Sequence, residues 1–229
     1  MVPIVEKFCG LFWKDKPPYP GFKKSFVKGV EVWNGTLGFD SRYDSIRIRD
    51  SYKIRIEFLG ASHLPFVYET GGRVDEIASK RKISDKRDLH VNSTNGSICL
   101  CPRPEVKRRF PQTINAEVFI RELVIPYFFA LSYFEKHGKW PWGFYGHGDI
   151  GIYEYYFDKI SSNDLNLLED CVASLQSPKS IQAQMNGNEG CLCGSKVKFK
   201  KCHRRAFNGR KAMVDAFANK DENRRHIKG

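Results

Sequence analysis

The sequence KIRIEF at residues 53–58 decides the fold class, because it alternates charged and apolar side chains without a break. Successive side chains of a β-strand point to opposite faces, so this alternation predicts a strand with one face in the core and one in solvent. Such strands are typical of antiparallel sheets. The KIRIEF stretch belongs to the third of four β-prone runs, at 26–33, 45–48, 52–59 and 64–68, with turns expected at Asn34-Gly35 and Gly71-Gly72. We therefore expect a short antiparallel meander.

Helical patterns flank this meander on both sides. Residues 2–14 carry apolar side chains at helical intervals and are followed by several prolines. Residues 115–137 form the longest predicted helix, in which Pro126 predicts a kink or a break, and residues 163–175 form another. The charged segment 73–88 predicts an exposed loop or a short helix. Helices and a meander together predict an α+β fold.

The charge of the chain is concentrated near its C-terminal end. The 229 residues carry a net charge of +12, and residues 178–229 hold thirteen Lys or Arg against four Asp or Glu. A basic segment of this kind suits nucleic acid, an acidic protein surface or plain solvent. Nucleic acid is therefore a possible partner but not the favoured one.

The cysteine content indicates a reducing compartment. Seven cysteines, an odd number arranged in tight pairs, suit thiol chemistry and metal ligation better than a disulfide framework. No stretch approaches the length of a membrane span, and the first residues lack the layout of a secretory signal. We expect a cytoplasmic chain that has no membrane segment.

A polar turn followed by two thiols forms the first candidate site. Residues 90–101 read HVNSTNGSICLC, and Asn95-Gly96 predicts a tight turn that delivers Cys99 at the end of a strand. Residues two apart in an extended segment share a face, so Cys101 is expected to lie on the same side. A thiol beside polar groups that steady an oxyanion is what covalent acyl transfer requires.

The segment after Cys101 bears on which thiol reacts. It begins with two prolines and is expected to be irregular and exposed, with Lys107, Arg108 and Arg109 close by. Positive neighbours lower the pKa of a thiol and raise its thiolate fraction. Exposure therefore favours Cys101, whereas a Cys99 tucked under a following helix would be inert packing.

The run from His90 to Leu100 resembles the active-site stretch of ubiquitin-conjugating enzymes, in which a His-Pro-Asn tripeptide precedes Asn-Gly-Ser-Ile-Cys-Leu. The resemblance implies a ubiquitin-conjugating-like fold over residues 1–176 and a thioester on the cysteine. It also implies that Asn92 stabilises the oxyanion, while His90 fixes the loop. The Gly-Ser-Ile-Cys register nominates Cys99. Val91 replaces the family's proline and the spacing is one residue shorter, which keeps Cys101 as the alternative.

A second constellation, CLCGSKVKFKKCH at residues 191–203, has the residue types of a metal site. Tetrahedral zinc accepts three cysteines and one histidine, and Gly194-Ser195 lets the backbone turn around an ion. An element this small buries too little apolar surface to fold alone, so the metal would supply folding energy. Phe199 and the lysines beside it predict a basic-aromatic face for bases or a protein partner.

This run resembles the SEC-C motif, a zinc-binding element in which Cys-x-Cys-Gly-Ser-Gly is followed by basic residues and a Cys-Cys or Cys-His pair. Only Lys196 departs from that pattern, where the motif has glycine. The resemblance implies a structural zinc held by four ligands, which are Cys191, Cys193, Cys202 and His203. With a polar linker at 177–190, the chain is expected to comprise a conjugating domain at 1–176 and a zinc element with a basic tail at 191–229.

The two resemblances together suggest a bacterial setting, in which the chain is similar to the conjugating proteins of CBASS antiphage operons. That similarity implies a thioester with the C-terminal tail of a cGAS-like nucleotidyltransferase partner. His147, between two glycines, is a further candidate as a general base towards an amine. Two other readings stay open: an inactive conjugating fold that acts as an adaptor, and a nucleic-acid-binding protein driven by its basic tail.

Overall fold

A computed structural model describes residues 21–60, 64–110, 114–162, 166–176 and 188–226, with side chains up to residue 219. The chain divides into two compact units. Unit 1 comprises Met1–Leu100 and Phe110–Gly143, and unit 2 comprises Cys101–Arg109 and Phe144–Gly229. The helix predicted at 2–14 and most of the predicted linker at 177–190 lie outside the described residues.

Unit 1 contains a four-stranded antiparallel sheet in the order β1-β2-β3-β4. The strands are β1 (Phe22–Val27), β2 (Val30–Tyr43), β3 (Ile46–Phe58) and β4 (Phe66–Glu69). Each strand pairs with the next one along the chain. The predicted antiparallel meander and the α+β class are confirmed.

The details of the first strands differ from the prediction. Residues 26–33 form two strands, because Lys28 and Gly29 adopt positive φ angles of 51° and 81° and make a two-residue hairpin turn. The runs 45–48 and 52–59 belong to one strand, β3. The turn expected at Asn34-Gly35 is also wrong, since Gly35 lies inside β2. A Cβ at this position would sit 2.2 Å from the carbonyl oxygen of Gly21. Glycine is therefore required at residue 35 because the backbone of Gly21 approaches it closely.

The helices of unit 1 are α1 (Arg73–Arg81), α3 (Ala116–Phe119) and α4 (Ile125–His137). A 3₁₀ turn lies at Lys86–Leu89, and a π-helical turn at Ile120–Val124 joins α3 to α4. The break predicted at Pro126 is this π-helical turn, because proline has no N–H to donate into the preceding turn. The segment expected to be a loop or short helix at 73–88 contains both α1 and the 3₁₀ turn.

The core of unit 1 lies between the inner face of the sheet and α4. Leu37 and Ile56 are fully buried on the sheet side, and Phe128 is buried on the helix. The hydroxyl groups of Tyr52 and Ser132 lie 2.9 Å apart within this layer and satisfy each other. Period-two burial on β3 follows the alternation that the sequence predicts.

Unit 2 is helical, with α2 (Arg103–Arg109), α5 (Asp149–Lys159), α6 (Leu167–Ser174), α7 (Phe199–Cys202) and α8 (Arg204–His226). Of these, only α6 was predicted, at 163–175. One apolar cluster joins all but α2, and it includes Ile152, Tyr153, Leu167, Cys171, Cys191, Phe199, Ala206 and Met213. Helices α5 and α8 touch at Gly209, where a Cβ would sit 1.9 Å from the carbonyl oxygen of Tyr153.

The two units group the residues by packing, and they do not coincide with the predicted segments 1–176 and 191–229. Whether those segments fold as separate domains stays a prediction. Within the described ranges, no helix combines the length and the apolar character needed to cross a membrane.

Candidate functional site

The metal-binding candidate is built on a tight turn in unit 2. Gly190 and Lys198 form an isolated antiparallel bridge, and the Cys191 N–H donates to the carbonyl oxygen of Val197 at 2.9 Å. Between them Gly194 takes a φ of 81°, which lets its N–H donate to the Cys191 carbonyl at 3.0 Å. The glycine turn predicted from the sequence is therefore present.

The second pair of ligands comes from α7 and the residue that follows it. Cys202 ends this one-turn helix, and the His203 N–H donates to the carbonyl oxygen of Phe199 at 3.0 Å. The turn holds the sulfur and the imidazole on the side that faces the first pair of cysteines. The two halves of the motif thus converge on one point.

The ligand atoms form a set that fits zinc. All four atoms, from Cys191, Cys193, Cys202 and His203, lie within 4.8 Å of one another. The sulfurs of Cys193 and Cys202 are 3.7 Å apart, and the Cys191 sulfur is 3.1 Å from the His203 Nδ1. Tetrahedral zinc with Zn–S bonds of about 2.3 Å separates two sulfurs by about 3.8 Å. The spacing and the donor types therefore suit that ion.

The environment of the cysteines differs within the cluster. Burial raises the pKa of Cys191 to about 11, whereas hydrogen bonding with the Ser195 side chain lowers the pKa of Cys193 to about 6. Ser195 lies 3.2 Å from the sulfurs of both Cys193 and Cys202. A bound zinc would take up thiolates and complete the folding of this turn, because structural zinc sites couple metal binding to folding.

The SEC-C motif matches residues 188–205. The match spans all four ligands, and the motif is of a zinc-binding type. The match covers a small part of the chain and therefore supports an assignment of the zinc element alone. Comparison with curated proteins found no match, and neither did comparison with solved structures.

Phe199 does not form the basic-aromatic face expected from the sequence. Its side chain is only 1% exposed and packs 5.8 Å from the Phe207 ring in an edge-to-face arrangement. The first residue of α7 points into the apolar cluster of unit 2, so no ring is presented there for stacking on a base. The prediction of an aromatic contact at Phe199 is wrong.

The surface around the zinc element is nevertheless basic. Lys196, Lys198, Lys200, Lys201 and Arg204 are all exposed within nine residues. Lys198 donates to the side-chain oxygen of Asn188 at 3.0 Å, which leaves its charge in solvent. The apolar side chains of Leu192 and Val197 are exposed on the same element.

The thiol hairpin belongs to unit 1 and starts as predicted. Val91 and Ile98 form an antiparallel bridge, the Asn92 N–H donates to the Ser97 carbonyl at 2.8 Å, and Gly96 has a φ of 73°. The Asn95-Gly96 turn is thereby confirmed. Ile98 also donates its N–H to the Val67 carbonyl at 2.7 Å, which ties the hairpin to β4.

Ser97 also helps to hold this loop, and no role was predicted for it from the sequence. The buried hydroxyl of Ser97 donates to the side-chain oxygen of Asn95 at 2.9 Å. It accepts a hydrogen bond from the Asn92 amide, also at 2.9 Å. The amide of Asn92 is therefore oriented by a partner inside the loop. Both bonds were foreseeable in kind, because short polar side chains hydrogen bond locally in turns.

His90 sits at the entrance to this hairpin. It takes a left-handed φ of 57°, and its N–H donates to the Arg87 carbonyl at 2.8 Å, closing the 3₁₀ turn. Its imidazole is buried and lies edge-to-face with Trp140, with ring centres 5.9 Å apart. These contacts suit a residue that fixes the loop.

The two candidate thiols belong to different units of the structure. Cys99 is half-buried and belongs to unit 1, where its N–H donates to the His90 carbonyl at 2.7 Å. Burial raises the pKa of the Cys99 thiol, which disfavours the thiolate. Cys101 is also half-buried, so the exposure predicted for it is wrong, and it belongs to unit 2.

The basic segment after Cys101 is not irregular, and its charges are paired. It forms α2, in which Arg108 and Arg109 bind Glu105 at 2.7 and 2.6 Å, while Lys107 binds Asp170 at 2.7 Å. Burial alone would raise the pKa of Glu105, but the two arginines outweigh it and lower the pKa. The i,i+3 and i,i+4 spacing was a visible signal. The prediction that free cations lie beside this thiol is therefore wrong.

His147 lies ahead of α5 in unit 2 and is half-buried rather than exposed. The Gly146 N–H before it donates to the Glu154 carboxylate at 2.8 Å, and Gly148 after it has a φ of 60°. The glycines therefore shape a helix entrance. The catalytic role suggested for His147 stays a prediction.

Proposed function

We propose that the chain is a zinc-containing, ubiquitin-conjugating-like transferase that carries the C-terminal acyl group of a partner protein as a thioester. The observation that carries the proposal is the hairpin of residues 90–99, where the resemblance in sequence coincides with a hydrogen-bonded polar loop leading into the thiols. The antiparallel meander before it and the helices after it are compatible with a conjugating fold.

The proposed reaction has two steps. A cysteine thiolate attacks the carbonyl carbon of an acyl group activated as an adenylate or thioester by a separate protein. The new C–S bond forms as AMP or the donor thiol leaves, and the cysteine proton passes to solvent. An acceptor amine then attacks the thioester carbon, an amide forms, and the cysteine thiol is released.

Cys101 is the preferred nucleophile, and Cys99 is the alternative. Burial disfavours the thiolate of Cys99, so attack by that sulfur needs a conformational change or a partner that alters its surroundings. Asn92 is proposed to donate to the oxyanion of the second step, since its amide is already oriented by Ser97. His90 is proposed to hold the loop.

The proposed partner is the C-terminal tail of a cGAS-like nucleotidyltransferase in antiphage defence of the CBASS type. This part of the proposal rests on the resemblance of residues 90–100 and on the SEC-C motif. The zinc element is proposed to have a structural role, because its four ligands leave no open coordination position.

The test is intact-mass analysis of the protein co-expressed with the nucleotidyltransferase and the activating protein of the same operon. We expect an adduct of the mass of the partner less one water, which hydroxylamine removes. Cys101→Ala should abolish this adduct and Cys99→Ala should retain it, while the reverse result would assign the reaction to Cys99.

Two matched variants separate catalysis from folding. Asn92→Ala should retain the adduct but slow its transfer to an amine by roughly a hundredfold, as loss of one oxyanion donor does. Cys171→Ser, which replaces a buried cysteine of the unit 2 core, should leave the adduct in place. An adduct that persists in the Cys99→Ala/Cys101→Ala double variant would contradict the proposal.

A non-catalytic adaptor is the second candidate, and the burial of Cys99 favours it. In that case neither thiol forms an adduct, and the partner binds without a covalent bond. Nucleic acid binding through the exposed cations at 196–204 is weaker as a candidate because Phe199 is buried. It would show a steep loss of affinity with added salt.

A further inference from the structure

Strand β1 lies at the end of the sheet, and no other strand in the described ranges pairs with its outer edge. The turn at Lys28 and Gly29 closes the hairpin with the Val27–Val30 pair. In a two-residue hairpin that closing pair is hydrogen bonded, and alternate residues face away. The backbone N–H and C=O groups of Lys24 and Phe26 therefore point to the outer edge. An edge of this kind is a template for another strand.

The same end of the sheet exposes apolar side chains. Phe26 is 66% exposed, Val27 is 55% exposed, and Leu59, just beyond β3, is 37% exposed. Among the described residues of unit 1, these three are the large apolar side chains left open to solvent. Phe26 and Val27 are successive residues of β1 and therefore lie on opposite faces of the sheet. Apolar side chains exposed on both faces of an open strand edge favour a partner that covers that edge.

The charge of this edge decides between possible partners. Lys23, Lys24 and Lys28 lie on β1 and its turn, and Lys24 binds Glu31 at 2.8 Å. Lys23 and Lys28 form no ion pair with any residue that the structure describes. In an antiparallel pair of two β1 strands, these lysines would crowd together, which disfavours a second copy of this chain. An acidic strand is attracted instead.

We propose that the outer edge of β1 binds an acidic extended segment of a partner protein, which adds a fifth antiparallel strand to the sheet. The backbone groups of Lys24 and Phe26 supply the hydrogen bonds. Apolar side chains of the partner cover Phe26 and Val27, and its acidic side chains stand opposite Lys23 and Lys24. This binding site is independent of the thiol chemistry proposed above, so either can fail alone.

The probe is an acetylated and amidated hexapeptide, VITEEV, whose register follows from the antiparallel pairing. Its first two residues face Val27 and Phe26, and its two glutamates face Lys24 and Lys23. The full-length ¹⁵N-labelled chain is titrated with it in low salt. We expect saturable shifts of amide signals in residues 22–27, with the amides of Lys24 and Phe26 gaining protection from hydrogen exchange.

Two controls separate charge from non-specific attraction. The charge-reversed peptide VITKKV should give no saturable shift in β1. Lys23→Glu should weaken binding of VITEEV by about fivefold, as reversal of one cross-strand charge pair predicts. Lys53→Glu changes an exposed lysine on the same sheet, two strands from the edge, and should alter the affinity less than twofold.

Three results would overturn the proposal. The first is the absence of shifts in β1 at millimolar peptide. The second is slow exchange of the Lys24 and Phe26 amides in the free full-length chain, which would mean that another part of this chain already covers the edge. The third is a concentration-dependent dimer lost on Lys24→Pro, which removes an outward-facing N–H and would assign the edge to a second copy.

Discussion

The guanidinium of Arg73 binds the carboxylate of Asp50 through two parallel hydrogen bonds of 2.7 and 2.8 Å. The same group reaches Glu135 at 2.7 Å, and its carbon lies 4.5 Å from the centre of the Tyr52 ring. Arg73 opens α1, Asp50 and Tyr52 belong to β3, and Glu135 lies near the end of α4. One side chain thus joins three elements of unit 1.

Removing this arginine should destabilise unit 1. Arg73→Met keeps the length of the side chain but leaves Asp50 and Glu135 without their partner, at a cost of about 2 kcal/mol after allowance for solvent screening. Urea unfolding measures the change. Arg47→Met is the control, because Arg47 makes a similar two-pronged contact with Asp40 on the exposed face of the sheet. A loss in the control as large as that in Arg73→Met would contradict this reading.

The same pair predicts a pH dependence. Burial alone would raise the pKa of Asp50, but hydrogen bonds from Arg73 and Ser132 outweigh it, and the pKa is lowered. The unfolded chain then binds the proton more readily, so stability rises with pH in the acid range. The contribution is complete above the unfolded value of about 3.9 and is lost as the pH falls further, through the folded pKa. Unfolding free energies of the Asp50→Asn variant should therefore vary less between about pH 5 and pH 3 than those of the parent.

Metal content tests the zinc site directly. Elemental analysis of the purified chain should find about one zinc per chain, and Cys202→Ser should lose it. Cys101→Ser changes a cysteine outside the four-ligand cluster and should keep the metal. Chelation should speed hydrogen exchange in α7 and the first turns of α8 while leaving β2 and β3 unchanged. Equal zinc content in the Cys202→Ser variant would count against the cluster.

Gly209 offers a test of helix packing in unit 2. In an exposed helix, Gly→Ala stabilises by up to about 1 kcal/mol. Here the added Cβ would meet the Tyr153 carbonyl oxygen at 1.9 Å, so the sign reverses and Gly209→Ala should destabilise by about 1–3 kcal/mol. Gly38→Ala is the control, since no atom lies within 4 Å of its Cβ position. Thermal unfolding of both variants measures the difference.

The raised pKa of Cys99 predicts slow alkylation. Burial raises the pKa of this thiol and lowers its thiolate fraction, so iodoacetamide should label Cys99 more slowly than an unperturbed cysteine, and the labelling rate should rise at higher pH than for an ordinary thiol of pKa about 8.5. Peptide mapping by mass spectrometry follows each site. Mild urea below the unfolding transition serves as the control, because opening the hairpin should remove the delay. Rapid labelling of Cys99 at neutral pH would show that its sulfur is accessible.

The sequence was informative where local chemistry determines the structure. Three features could be predicted from it: the alternation in β3, the turn at Asn95-Gly96 and the ligand spacing from Cys191 to His203. These features depend on side-chain period, on backbone freedom and on donor type. Each is set within one short segment of the chain, so no distant partner was needed to predict it.

The predictions from the sequence were wrong where a distant segment of the chain determines the surroundings of a residue. Gly35 is a glycine because Gly21 approaches its backbone, and not because the chain turns there. Phe199 looks like a stacking residue until α8 supplies Phe207 to cover it. Lys107 loses its free charge to Asp170, which is 63 residues away. None of these pairings leaves a signature in the local pattern.

Cys191 is at once a ligand candidate and a member of the apolar cluster of unit 2, with only 6% of its surface exposed. Removal of a bound zinc from that sulfur would therefore also loosen the packing that Cys191 shares with Phe199 and Met213. Zinc binding and the packing of unit 2 would then share one equilibrium, and the order of α8 would report on the zinc supply.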